Sequence, residues 1–370
     1  MFGMPNNEIR KSPVEERMFD RVFAVSPALD TFRKSLLAWF EREGRSYPWR
    51  ETDDPYAILV SELMLQQTQI ATVLGKGYFK RWMNLFPTWH ELAVAEERDL
   101  LKAWEGLGYY NRARNLQKAA HAVLRDHGGK FPRGYDEVLA LPGVGRYTAG
   151  AVLSFAFNER AAIVDGNVTR VLARLFGMRE AIDSPDSIRF FWEAAEAMTP
   201  ASKVREYNSA IMELGQRVCL RSSPKCGECP VSSHCVALKE RLIDFIPTKK
   251  KRTKIVLREE LIGIGVRNGQ ILLTREEGSR RLGLWRLPEL SNAQGDDLPE
   301  LFRFDYAITK YKVSLRCFVL TPFLIGEFEG SQKGDWYSLE GVDSLPPMGS
   351  PYLKAIRKYQ NLHDELNLSS

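Results

Sequence analysis

Apolar residues recur at three- and four-residue intervals through the first two thirds of the chain, the spacing of helices with one buried face. The pattern predicts helices over 30–43, 56–74, 79–85, 92–95, 97–104, 111–126, 135–140, 146–155, 168–176, 187–198 and 205–218. Proline and glycine separate them at Pro55, Pro87, Gly106, Gly108, Gly128, Gly129, Pro142, Gly145 and Pro200. No strong strand pattern precedes residue 240, so 28–245 is predicted to be an all-α domain behind a loose extension, 1–27. The pattern then changes. Residues 246–258 begin IPTKKKRTK and read as a basic linker. ELIGIGVRNGQILLTRE predicts a hairpin around Arg267, Asn268 and Gly269. KVSLRCFVLTPFLIGEFEG alternates and predicts a second one, and SPYLKAIRKYQNL predicts a closing helix. The region 259–370 is therefore expected to be a smaller α+β domain.

Composition narrows the class. A chain of 370 residues, 44% hydrophobic and 27% charged, suits two ordinary globular domains, and excludes collagen-like, disordered and disulfide-scaffold classes. No apolar run approaches the roughly 18 residues of a membrane span. The opening MFGMPNNEIRKSPVEERMFD has no apolar core to serve as a secretory signal. A cytoplasmic monomer is expected. The net charge of +5 is unevenly spread: 39 Lys and Arg face 31 Asp and Glu over 1–258, and 13 face 16 over 259–370. A basic helical domain suits contact with nucleic acid.

Four of the five cysteines, Cys219, Cys226, Cys229 and Cys235, fall within 17 residues. Four thiolates so close need a soft metal to offset their repulsion, and zinc or a 4Fe-4S cluster would serve. Their six-two-five spacing resembles the cluster loop of the endonuclease III superfamily of DNA glycosylases. Arg217, Arg221 and Lys225 are cations near this loop that suit DNA phosphates. Cys317 stands alone and reads as an inert buried thiol.

Leu141-Pro142-Gly143-Val144-Gly145 lies between two predicted helices. Glycines let a backbone approach a phosphate, and the second helix offers its first amides to the anion. The segment 136–157 thus resembles a helix-hairpin-helix DNA-binding element. Twenty residues on, Asp165 in VDGNV enters a helix and suits either a cap or a catalytic anion. Glu62, in SELMLQQTQ, has Ile58, Leu59 and Leu65 as helical neighbours, so it is a paired core carboxylate or a desolvated acid.

ELMLQQTQ, GLGYYNRARNL, LPGVGRYTAGA, VDGNV and ELGQRVC occur in this order with the cysteine loop. Together they are similar to the MutY family of adenine DNA glycosylases, over roughly 30–245. That resemblance implies a six-helix barrel beside a cluster domain, and double-stranded DNA carrying A:8-oxoguanine or A:G mispairs as the partner. It implies Glu62 as the acid that protonates a flipped adenine, and Asp165 as the stabiliser of positive charge on the sugar. Tyr147 and Asn167 match residues that hydrogen-bond in the active site. Arg45, Trp49 and Arg50 match residues lining the adenine pocket, and Gln67 and Tyr109 match residues that wedge into the duplex. Ser209 stands where relatives often carry Glu or Gln.

The C-terminal run ILLTREEGSRRLGLWRLPEL is similar to a Nudix-type module that senses 8-oxoguanine. The acidic hydrolase box is absent, so no pyrophosphatase activity is expected. Ile308-Thr309-Lys310 stands where the recognition loop is often Phe-Ser-His, which makes Thr309 and Lys310 the candidate readers. Alternatives are an endonuclease III-like enzyme, which would need a lysine where Tyr147 stands, a thymine-mismatch glycosylase, and a DNA-binding protein without catalysis.

Overall fold

The computed structural model describes residues 26–250, 255–278, 282–330 and 334–368. The extension expected at 1–27 lies outside these except for Ser26 and Pro27, which open the first helix. The chain divides into two compact units, 1–62 with 131–252, and 63–130 with 253–370. Each is taken by itself.

Among the described residues, the regular elements before Val256 are helical: α1 (Ser26–Glu43), α2 (Pro55–Leu65), α3 (Ile70–Gly75), α4 (Tyr78–Leu85), α5 (Trp89–Val94), α6 (Glu97–Ala103), α7 (Asn111–His127), α8 (Tyr135–Leu139), α9 (Arg146–Phe157), α10 (Gly166–Phe176), α11 (Pro185–Met198), α12 (Val204–Arg217) and α13 (Val236–Lys239). The expected single helix over 56–74 is two, α2 and α3. The chain leaves α2 through Gln67, whose φ of +59° no helix continues.

In the first unit, Phe32, Leu36 and Trp39 of α1 share a core with Phe176, Phe190, Phe191 and Leu214. α12 is central to it, packing on α1, α9 and α10. The linker expected from residue 246 starts anchored here. Ile246 is buried, and the Thr248 hydroxyl donates to the Arg179 and Glu180 carbonyls at 2.9 and 2.8 Å.

The second unit joins α3–α7 to the strands. Trp82 meets Trp104 and Phe86 edge-on at 5.1 and 5.0 Å. The strands are β1 (Val256–Ile264), β2 (Val266–Arg267), β3 (Gln270–Arg275), β4 (Trp285–Arg286), β5 (Glu300–Ile308), β6 (Tyr311–Val319) and β7 (Gly334–Ser338). They form one sheet in the order β1-β6-β5 and a second in which β3 pairs with β2, β4 and β7. α14 (Asn292–Asp296), α15 (Pro322–Gly330) and α16 (Ser350–Leu368) complete the region.

Two strand expectations need correction. The turn at Asn268 and Gly269 exists, with φ of +51° and +71°, but it joins only β2 to β3. The run before it breaks at Gly265, and β1 pairs in parallel with β6 instead. The chain passes tightly against Leu320 there: a Cβ on Gly263 would meet its side chain at 2.1 Å. The second expected hairpin is a strand followed by a helix, α15. Thr321 Oγ1 accepts from Leu324 N at 3.3 Å, Pro322 opens the helix, and Leu324, Ile325 and Phe328 turn one face to the core. The hairpin partner of β6 is β5, paired antiparallel through a turn at Thr309 and Lys310. Cys317 of β6 is buried, and that burial pushes its thiol up to about 12.

Candidate active site

Glu62 lies on α2 between Ile58, Leu59 and Leu63, itself only 5% exposed. Burial pushes its carboxyl up to about 7, against a hydrogen bond from Tyr147; the charge of Asp165 adds to the rise and Arg50 opposes it. Tyr147, in the first turn of α9, is held well above the usual phenol range by burial and by those two carboxylates, so its hydroxyl stays a donor. Met212 Sδ stands 3.6 Å from the same hydroxyl.

Asp165 does two jobs with one carboxylate. Its Oδ1 accepts from the amides of Asn167 at 2.9 Å and Val168 at 2.7 Å, capping α10, and its Oδ2 accepts from Asn167 Nδ2 at 2.9 Å. Burial raises its carboxyl, and these hydrogen bonds oppose the rise. The first unit thus gathers Glu62, Tyr147, Asp165 and Asn167. Gly215 lets α12 approach this loop, since a Cβ there would meet Asn167 Cβ at 2.7 Å.

Arg45 is exposed, and its amide donates to Glu213 Oε1 at 3.0 Å. Arg50 Nη1 pairs with the fully buried Glu213 at 2.5 Å. Trp49 is buried and stacks on Tyr47 at 5.4 Å. A cleft of about 730 Å³ runs past Arg45, Arg50 and Ser209, with Lys34, Lys203 and Arg205 on its rim. Its cations suit a polyanion.

The hairpin is built as its glycines require. Gly143 has a φ of +80°, the Val144 amide donates to the Leu141 carbonyl at 3.1 Å, and Leu141 and Val144 point inward while Gly143 and Gly145 face out. No side chain caps α9, which leaves its first amides to an incoming anion.

Cys219, Cys229 and Cys235 pack against the core of the first unit. Burial and neighbouring cysteines push the Cys226 and Cys235 thiols up, and burial lifts Cys229 to about 11. Bare thiolates are thus disfavoured, and soft sulfur donors of this kind fit a positively charged iron–sulfur core. Arg174, nearly fully buried, donates to Cys219 Sγ at 3.4 Å and to the Leu220 carbonyl at 2.6 Å. Among the described residues no group of three metal-binding side chains is set to hold a single ion. Of the cations expected to meet phosphate, Arg217 pairs with Glu213 at 2.8 Å and Lys225 with Glu228 at 3.3 Å.

In the second unit, Gln67, Tyr109 and Thr309 line one cleft of about 780 Å³. All three have left-handed backbones, with φ of +59°, +50° and +51°. Each is thus presented from a sharp turn. The neighbouring Lys310 places its Nζ over the Tyr311 ring, 5.5 Å from the ring centre.

Residues 60–196 match the HhH-GPD superfamily of base excision DNA repair proteins, and 219–235 match the iron–sulfur binding domain of endonuclease III. The adenine DNA glycosylase of Buchnera aphidicola subsp. Baizongia pistaciae is 31% identical over 353 residues, 90% of this chain and 99% of its own length. The chain belongs to the adenine DNA glycosylase family. The Rattus norvegicus adenine DNA glycosylase is 41% identical over 239 residues, 62% of this chain but 45% of the rat protein, so the match spans less than half of that relative. A solved thermostable thymine-DNA glycosylase superposes with a TM-score of 0.54 at 32% identity, over 59% of this chain and 99% of its own. The helical glycosylase fold is thus shared by enzymes named for different bases, and fold alone does not select the base. The matched segment 219–235 contains Cys219, Cys226, Cys229 and Cys235, and the match favours an iron–sulfur site over the zinc their spacing left open.

Within this family site, two residues escaped the sequence reading. Arg170 Nη2 donates to Asn167 Oδ1 at 2.9 Å, and its Nε donates to the Cys219 carbonyl at 2.7 Å. It therefore ties the Asp165 loop to the first cysteine. Glu213 is the buried anion that fixes Arg45, Arg50 and Arg217. The spacing of Arg170 and Arg174, one helical turn apart behind VDGNV, was the available signal.

Among the described residues, no helix is long and apolar enough to cross a membrane.

Proposed function

We propose that this chain is a monofunctional adenine DNA glycosylase that flips adenine out of A:8-oxoguanine and A:G mispairs and removes it by hydrolysis. The observation that carries the reading is the Glu62–Tyr147–Asp165 arrangement. One carboxyl has been raised to about 7, where it can donate a proton near neutrality, while a second is steadied by three hydrogen bonds. Protonation of an adenine ring nitrogen by Glu62 turns the base into a good leaving group. The departing electrons leave positive charge on the sugar, which the Asp165 carboxylate stabilises, and water completes the hydrolysis. Tyr147 has no amine to form a Schiff base, so the strand is left uncut. Asn167 holds Asp165 in place, and Arg45, Trp49 and Arg50 shape the base pocket. Leu141, Gly143, Val144 and Gly145 present α9 to the phosphates.

Cys219, Cys226, Cys229 and Cys235 would hold a 4Fe-4S cluster, which when bound cross-links the loop. The strand region acts as a Nudix-like reader of the opposite base, with Thr309 as its donor. The test is incubation with A:8-oxoguanine, T:G and thymine-glycol duplexes followed by alkali. Cleavage of the A:8-oxoguanine duplex alone, dependent on alkali, is expected. Cleavage of the thymine-glycol duplex without alkali, or of T:G in preference, overturns the reading.

A further inference from the structure

Arg112, on the first turn of α7, is 8% exposed, and the acceptors of its guanidinium are backbone carbonyls. Its Nη1 donates to the carbonyls of Leu63 at 2.6 Å, Met64 at 3.2 Å and Gln66 at 2.6 Å. Its Nη2 donates to Leu107 at 2.9 Å and Gly108 at 3.0 Å. The first two are among the last carbonyls of α2, which a helix cannot satisfy internally, and the third belongs to the residue that follows it. The other two belong to the turn before α7. The plane lies over Trp104 at 5.3 Å and Tyr109 at 5.7 Å, and Nε has no hydrogen-bond partner among the described residues. Burial brings the guanidinium down to about 10, which still leaves it charged near neutrality.

Gln67 follows one gripped carbonyl and Tyr109 follows another. We infer that Arg112 is the positioning residue that sets Gln67 and Tyr109 at a fixed spacing, so that the two enter the duplex as one rigid wedge. The inference rests on the proposed wedge role of those two residues. A single cation stops α2 and tethers the Gly108 turn to it. The helix stopped in this way is the one that carries Glu62. A lysine keeps the charge but offers three donors from one point, and cannot span both segments.

The test is base extrusion by the full-length protein, followed by the fluorescence of 2-aminopurine beside the target adenine. Iron content and circular dichroism report the fold separately. Arg112→Lys is expected to fold, keep its iron and lose extrusion, because misplacement by about 1 Å can cost on the order of 100-fold. The double variant Arg112→Lys with Gln67→Ala is expected to lose no more than the worse single variant, since both disable one device. Independent, multiplying losses, or an Arg112→Lys protein with wild-type extrusion, overturn the positioning role and leave the wedge intact. If Gln67→Ala and Tyr109→Ala both extrude like wild type, the wedge reading fails and this inference with it. Should Arg112→Lys not fold, Gly108→Ala gives the same test. It strains a turn at φ +69° with open space for the methyl, and its loss must not multiply with that of Tyr109→Ala.

Discussion

At pH 8 Glu62 is a carboxylate among apolar neighbours, and the fold bears that cost. Its folded value of about 7 lies above the ordinary 4.5, so the folded state holds the proton more tightly than the unfolded state. Its stabilising contribution is complete below the ordinary value and is lost as pH rises through about 7. The gap corresponds to on the order of 3 kcal/mol. Glu62→Gln, neutral at every pH, is therefore expected to raise the melting temperature at pH 8 by several degrees and to change it little at pH 4.5. Thermal melts at both pH values check this; equal effects at the two would mean that the buried charge costs nothing. Wild-type adenine release in a single turnover is expected to fall as pH rises through the same region. Glu62 was legible as one of two things, a paired core acid or a desolvated one. Its apolar neighbours showed in the sequence, but its tyrosine partner, far along the chain, did not.

At the scale of elements, LPGVG and VDGNV were legible because their geometry demands particular residues. Gly143 needs a left-handed φ of +80°, and Asp165 must cap α10. Gly143→Ala is expected to cost roughly 1–2 kcal/mol of strain and to weaken binding to damaged and undamaged duplexes alike. A titration that shows unchanged affinity for both would remove the hairpin from the interface. The break between α2 and α3 was not legible. The carbonyls at that break are held by Arg112, up to 49 residues further on, and carbonyls are groups that every sequence has. Arg170 and Arg174 were hidden for a similar reason: an arginine one turn from another on a helix reads as a solvated face. Cys229→Ser is expected to lower bound iron sharply and to destabilise 219–235, as measured by metal analysis and limited proteolysis. Full iron occupancy in that variant would exclude Cys229 as a ligand.

Over the whole molecule, the helical region was read well because its packing repeats within each helix. The strand region was read less well because sheet partners are chosen across the chain. LFRFDYAI alternates as plainly as the stretches taken for hairpins, yet was passed over, and PFLIGEFEG alternated by accident. β5 and β6 bring Thr309 into one cleft with Gln67 and Tyr109. Thr309→Ala is expected to narrow the preference for A:8-oxoguanine over A:G by about fivefold, one hydrogen bond's contribution, while leaving release from A:G unchanged. An unchanged ratio of single-turnover rates would place the reader elsewhere. The central claim, that Glu62 is the acid releasing adenine, is tested most directly by single-turnover excision from an A:8-oxoguanine duplex, wild type beside Glu62→Gln, with duplex affinity measured in parallel. The account predicts loss of about 100-fold or more in rate with affinity nearly intact; a variant that retains more than about a tenth of the wild-type rate would contradict it.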